Sequence, residues 1–154
     1  MIRNIKDLEK VVNRYIEKAM IMTRNEIFEV ISEKVSDYYS EYTPRVYDRT
    51  GTLMESLTGS NILKTGNSFS FTVGWEDDYL SFQYPGNSLE SYNPPYNPAT
   101  GQDVLYWFNN QSHGGTVGGS HSYWDEAINE LNARHGSIPL LFKKNLKKCG
   151  LPIK

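Results

Sequence analysis

Cysteine is almost missing from this chain: Cys149 is the single one in 154 residues. No intramolecular disulfide can form, and no group of thiolates can hold a metal. That usage suits a reducing compartment. Long hydrophobic runs are missing too. No stretch of about 18 apolar residues exists for a membrane span, and the opening MIRNIKDLEK lacks a signal-peptide core. Synthesis in a cytoplasm, without a membrane partner, is the expectation. Charge of one sign is not in excess either. Sixteen Lys and Arg stand against 18 Asp and Glu, a net of −2, which gives no nucleic-acid footprint over the whole molecule. No internal repeat is found. The glycine-rich run from His113 to Gly119, HGGTVGG, lacks the Lys-Ser/Thr of a nucleotide loop.

Apolar residues at 38% and charged residues at 22% place the chain among globular proteins rather than disordered or membrane ones. Its length predicts one domain over 1–154 with a core of its own. Within it we expect a long helix over 1–42, a β-rich part over 43–111 with an irregular loop at 85–103, and a glycine-rich loop with C-terminal helices over 112–154. Eleven Tyr, six Phe and three Trp favour an aromatic sheet or a contact surface.

The longest pattern runs from Ile5 to Tyr42. Ile5, Leu8, Val12, Ile16, Ala19, Ile27, Ile31, Val35, Tyr38 and Tyr42 recur at steps that place them on one helical face. Asn4 is the expected cap, and Asp7 suits the positive end of the helix. A straight helix of this length spans roughly 57 Å, against roughly 40 Å for the diameter of a compact chain of this size. Either it bends near Thr23-Arg24-Asn25, or its uncovered apolar stripe meets another subunit. Pro44 ends it.

Ser60 to Trp75 predicts a hairpin turning at Thr65-Gly66-Asn67. Phe69, Phe71, Val73 and Trp75 alternate with Ser68, Ser70, Thr72 and Gly74, and the aromatic face is expected to receive the long helix. Tyr79 to Tyr84 alternates as a further short strand. Pro85 to Asp103 holds four prolines and reads as an irregular loop, with Tyr92 and Tyr96 as anchors against a neighbouring subunit. Val104 to Phe108, VLYWF, reads as a buried strand in preference to a helical turn, and Asn109 to Ser122 as a second open loop. Tyr123 to His135 predicts a helix with Trp124, Ala127, Ile128 and Leu131 inward, Ser122 as cap and Gly136 as stop. A last helix opens near Pro139, with Leu141, Phe142 and Leu146 inward and Lys143, Lys144, Lys147 and Lys148 outward. The fold class is α+β: a long N-terminal helix packed on a mostly antiparallel sheet of about four strands, with short C-terminal helices.

The stretch from Tyr42 to Leu57 is YTPRVYDRTGTLMESL. A long amphipathic helix followed by Pro44, then Thr50-Gly51, Leu53 and the pair Ser56-Leu57, resembles the phage head–tail joining and minor tail component family. Tyr106-Trp107-Phe108 with Gly114-Gly115 resembles that family's aromatic segment and glycine loop. Ile138-Pro139-Leu140-Leu141-Phe142 resembles the opening of its final helix. Asn109, Asn110 and Gln111 replace its usual acidic residue and glycine. The resemblance implies a virion structural protein of the neck that joins head to tail or completes the tail. It implies a homo-oligomeric ring around the DNA channel, with head-completion, tail-terminator or tail-tube proteins as neighbours, DNA only as channel contents, and no cofactor. Tyr92, Tyr96, Lys143, Lys144, Lys147 and Lys148 are the candidate subunit contacts.

Other constellations support an enzyme or a binding module less well. His113, His121 and an acid are the alternative of a small metal-dependent hydrolase, but they lack the i, i+4 histidine pair of a zinc helix. Glu76, Asp77 and Asp78 read as a solvated strand end. Cys149 with His135 lacks a third, orienting group. A monomeric module holding glycan or peptide on its Tyr-rich loop is the third reading. No catalytic, cofactor-binding or metal residue is assigned, and no enzyme activity is expected.

Overall fold

Helix α1 (Ile5–Glu41) starts where the Asp7 backbone N–H donates to Asn4 Oδ1 at 2.9 Å, so the expected cap is in place. In the computed structural model residues 4–41, 51–76, 80, 100–110 and 122–153 are described. Helix α1 passes through Thr23-Arg24-Asn25 without interruption. Thr23 turns its hydroxyl back to the Ala19 carbonyl at 2.8 Å, which satisfies a buried polar group inside the helix. The apolar stripe is buried from Ala19 onward, at Ile27, Ile31, Val35 and Tyr38, but not at its start. Ile5 is 84% exposed and Leu8 46%.

After Gly51 come α2 (Thr52–Glu55) and four three-residue strands: β1 (Leu57–Gly59), β2 (Leu63–Thr65), β3 (Ser68–Ser70) and β4 (Val73–Trp75). They pair as two two-stranded antiparallel ladders, β1 with β4 and β2 with β3. The turn falls at Gly66-Asn67, as expected, with Gly66 at φ 60°. Leu63 faces Ser70, Lys64 faces Phe69 and Thr65 faces Ser68. Below them the Ser60 N–H donates to the Thr72 carbonyl at 2.8 Å. Between these pairings Asn61 and Ile62 stand opposite Phe71 alone, so the hairpin carries a bulge that splits one ladder into two. The alternation of Ser60 to Trp75 is therefore real but interrupted, and its aromatic face is half-buried.

The expectation for Val104–Phe108 is overturned. This run is the body of α3 (Gly101–Asn110), and Gly101, Gln102 and Asp103, assigned above to the loop at 85–103, form its first turn. A five-residue apolar run fits either structure by periodicity. What decides is the cap: Asp103 Oδ2 accepts from the Thr100 N–H at 2.8 Å and from its hydroxyl at 2.7 Å, and the Thr100 hydroxyl accepts the Asp103 N–H at 3.3 Å. The strand expected over Tyr79–Tyr84 lies outside the described residues except Leu80, which is buried.

Helix α4 (Tyr123–His135) has the bounds its sequence predicts, and Ser122 caps it by accepting the Asp125 N–H. Ala127 and Leu131 are buried as expected, and Tyr123 is buried as well. Gly136, at φ 81°, ends it. Ser137 then caps α5 (Ile138–Lys148), with Pro139 in its first turn. The fold is α+β, as the sequence predicts.

The chain divides into two compact units, interleaved in sequence. One comprises Met1–Glu29, Gly59–Val73 and Glu130–Lys154; the other Val30–Thr58 and Gly74–Asn129. In the first, Ala19, Ile27, Leu131 and Leu141 are buried around a polar pair: Asn145 Nδ2 donates to Thr23 Oγ1 at 3.2 Å. The second has an aromatic core of Tyr38, Phe108 and Tyr123 with Val35, Leu53 and Leu80.

Candidate functional site

Four of the six motif residues fall within the described chain, and they make a joint. Gly51 takes φ 80° and its carbonyl accepts the N–H groups of Met54 and Glu55 at 3.0 and 3.1 Å, which starts α2. Leu53 and Leu57 are buried. The Leu53 carbonyl accepts the Trp75 indole N–H at 2.9 Å and the Ser56 hydroxyl at 3.4 Å. The Ser56 carbonyl accepts the Glu76 N–H at 3.0 Å. Gly51, Leu53, Ser56 and Leu57 thus tie α2 and β1 to β4 and fix where Trp75 sits. Pro44 and Thr50 lie outside the described residues.

Trp75 is the entry to an aromatic assembly that the sequence did not group. Its ring lies 5.4 Å from Phe108, edge-on, and 5.8 Å from Trp124. Phe108 stacks on Tyr123 at 5.5 Å and meets Tyr38 edge-on at the same distance. Such geometry stabilises beyond the area buried. On the outer side of this assembly is an open groove of about 430 Å³. Trp75, Leu105, Phe108 and Trp124 give it an apolar floor, while Gln102, Asn109 and Tyr106 supply the polar groups. Tyr106 is 63% exposed and Phe108 2%. The helical period of α3 explains the difference, since Leu105 and Phe108 share a face that Tyr106 does not. The groove was illegible because it needs α3 to be a helix. The Thr100-x-x-Asp103 pattern was the signal that could have revealed it.

The acid of that pattern is electrostatically distinct. The Thr100 hydroxyl, and after it the Thr100 backbone N–H, hold the Asp103 carboxyl below the usual carboxylate range.

The YomN family profile matches residues 4–148. The chain belongs to the YomN family. YomN is a Bacillus phage-derived protein family, so the chain is phage-associated. Comparison with curated proteins and with solved structures returns no match.

Among the described residues, the remaining histidine, lysine and cysteine candidates lie on α4, on α5 and just past its end. Lys143, Lys144, Lys147 and Lys148 are exposed on α5, as expected, and Lys148 Nζ lies 3.6 Å from Glu26 Oε1. Glu26 also receives His135 Nε2 at 3.5 Å, so one carboxylate of α1 gathers α4 and α5. Cys149 Sγ meets Met22 Sδ at 3.6 Å. Tyr92, Tyr96, His113 and His121 lie outside the described residues. Among the described residues no three His, Cys, Asp or Glu converge on a metal position, and no helix is long and apolar enough to cross a membrane.

Proposed function

We propose that this chain is a virion structural protein of the phage neck, joining head to tail or completing the tail, as a homo-oligomeric ring around the DNA channel. What carries the reading is membership of a phage-derived family along nearly the whole chain. Two further observations support it. The Gly51–Leu57 joint takes the order of the joining-protein motif and builds a hydrogen-bonded corner from it. The first turns of α1 leave apolar side chains in solvent, as a subunit interface requires. In this reading the chain is not an enzyme, and head-completion, tail-terminator or tail-tube proteins surround it. Tyr92, Tyr96 and the α5 lysines are its contacts.

The test is particle composition. Purified phage should contain the protein in a fixed number of copies, localised by labelled antibody to the head–tail junction. Disrupting its gene should leave unjoined heads and tails. Normally joined, infectious particles without the protein would end the proposal.

A further inference from the structure

A net charge of −2 hides a division within the chain. The unit built from Met1–Glu29, Gly59–Val73 and Glu130–Lys154 carries thirteen Lys and Arg against six Asp and Glu, a net of +7. The unit built from Val30–Thr58 and Gly74–Asn129 carries three against twelve, a net of −9. Opposite net charges of this size attract one copy to another and orient the encounter.

Apolar exposure divides along the same line. Of the exposed large hydrophobics among the described residues, Ile5, Leu8, Ile21, Leu63, Ile138 and Leu140 belong to the basic unit, and only Tyr106 to the acidic one. The acidic unit instead offers the aromatic groove of about 430 Å³. Along the chain, an acid directly follows a lining residue in each segment that builds the groove. In sequence, Glu76 follows Trp75 just past β4, Asp103 follows Gln102 on α3 with its carboxylate held by Thr100, and Asp125 and Glu126 follow Trp124 on α4, Glu126 lying 3.8 Å from Lys34 Nζ. An apolar floor carried by a unit of net −9 fits an apolar partner carried by a unit of opposite charge. The start of α1 supplies the apolar part, since Ile5 and Leu8 lie one turn apart on one face, and from Met1 to Arg14 four cations (Arg3, Lys6, Lys10 and Arg14) stand against two acids, Asp7 and Glu9.

We infer that the first turns of α1 in one copy dock into the aromatic groove of a second copy, the basic unit of each chain meeting the acidic unit of the next. This deepens the ring reading and rests on it. An amphipathic helix in an apolar groove is a common mode of recognition. Its two surfaces belong to different parts of one chain, so the contact is heterologous and repeats from copy to copy. Such a contact closes into a ring when its rotation divides a full turn. Nucleic acid on the basic unit is the competing occupant. It leaves Ile5 and Leu8 in water, leaves the groove empty, and is repelled by the acidic unit.

The experiment is sedimentation velocity on the full chain between about 50 mM and about 500 mM NaCl, where screening changes strongly. Wild type should associate at low salt, with the association constant falling about tenfold or more at high salt. Ile5→Glu with Leu8→Glu should abolish association, and so should Tyr106→Lys at the exposed wall of the groove, both with an unchanged circular-dichroism spectrum. Mixing the two variants should restore a species of twice the monomer mass and nothing larger. The first retains a groove and the second retains a helix. A wild type that stays monomeric at low salt, or a mixture that does not pair, overturns the inference. So does retention of a duplex of about 30 base pairs by wild type without self-association. The neck reading is decided separately by particle composition, so the two failures are distinguishable.

Discussion

Replacing Phe108 and Tyr106 separately by alanine tests whether the aromatic run is a helix, because the two structures assign these residues opposite relations. In a strand, Val104, Tyr106 and Phe108 share one face and both aromatics are core. In α3, Phe108 is 2% exposed and Tyr106 63%. Phe108 also lies between three rings, 5.4 to 5.5 Å from Trp75, Tyr38 and Tyr123. Its truncation removes a buried phenyl group and leaves a cavity, a loss of about 3–5 kcal/mol. An exposed tyrosine away from the core costs about 0.5 kcal/mol or less. With a urea slope of about 2 kcal/mol per molar, Phe108→Ala should lower the unfolding midpoint by about 1.5–2.5 M. Tyr106→Ala should lower it by less than about 0.3 M. Tryptophan fluorescence reports the transition, since Trp75 touches Phe108, and far-ultraviolet circular dichroism provides the second probe. Comparable losses for the two variants would refute the helix and restore the strand.

Three further perturbations probe other joints. Thr23→Val removes the acceptor of Asn145 Nδ2, while Asn145 Oδ1 already has no hydrogen-bond partner among the described residues. A second stranded group should cost about 1–3 kcal/mol, and adding Asn145→Ala should cost less than the sum of the two, whereas strict additivity in urea titrations would contradict the pairing. Asp103 has its folded pKa depressed by Thr100, so its contribution is present above about pH 4 and is lost as pH falls through the lower folded value. The stability advantage of wild type over Asp103→Asn should therefore shrink on acidification from pH 7 toward about pH 2.5; growth of that difference would reverse the sign of the argument. Gly136→Ala should cost about 1–2 kcal/mol, because φ is 81° and the new Cβ would lie 2.9 Å from Leu140 Cδ1, whereas nothing lies within 4 Å of a Cβ added at Gly74. Equal melting temperatures for the Gly136 and Gly74 variants would show that the turn is not strained by a side chain.

Features set by short sequence range were readable. Asn4, Ser122, Gly136 and Pro139 act within a turn or two of themselves, so the ends of α1, α4 and α5 follow from side chains nearby. The turn at Gly66-Asn67 is local in the same sense. Reading failed where two structures share one composition, as in Val104–Phe108, and where a residue is held by something remote. Asn145 sits among the lysines of α5 and looks solvated, yet it is buried against Thr23, 122 positions earlier. The bulge opposite Phe71 is of the same kind. Alternation predicts a strand, but not the extra residue that Asn61 and Ile62 introduce into its partner.

The candidate interface was hidden for a related reason. Over the whole chain the charges nearly cancel. Each compact unit is assembled from separated segments, and the boundaries cut α1 after Glu29 and α4 after Asn129. One helix therefore contributes its first turns to the basic unit and its later turns to the acidic one, and no window of sequence follows that division. Only the pairing of segments sorts thirteen of the sixteen cations to one side and twelve of the eighteen anions to the other. The long α1 pattern left open a bent, self-covered helix or an uncovered stripe, and in the structure the stripe is buried only from Ala19 onward, with Ile5 and Leu8 exposed. In the proposed contact its own chain supplies the matching chemistry, an aromatic groove in the unit of net −9. A surface complementary to a different surface of the same chain predicts repetition rather than simple pairing.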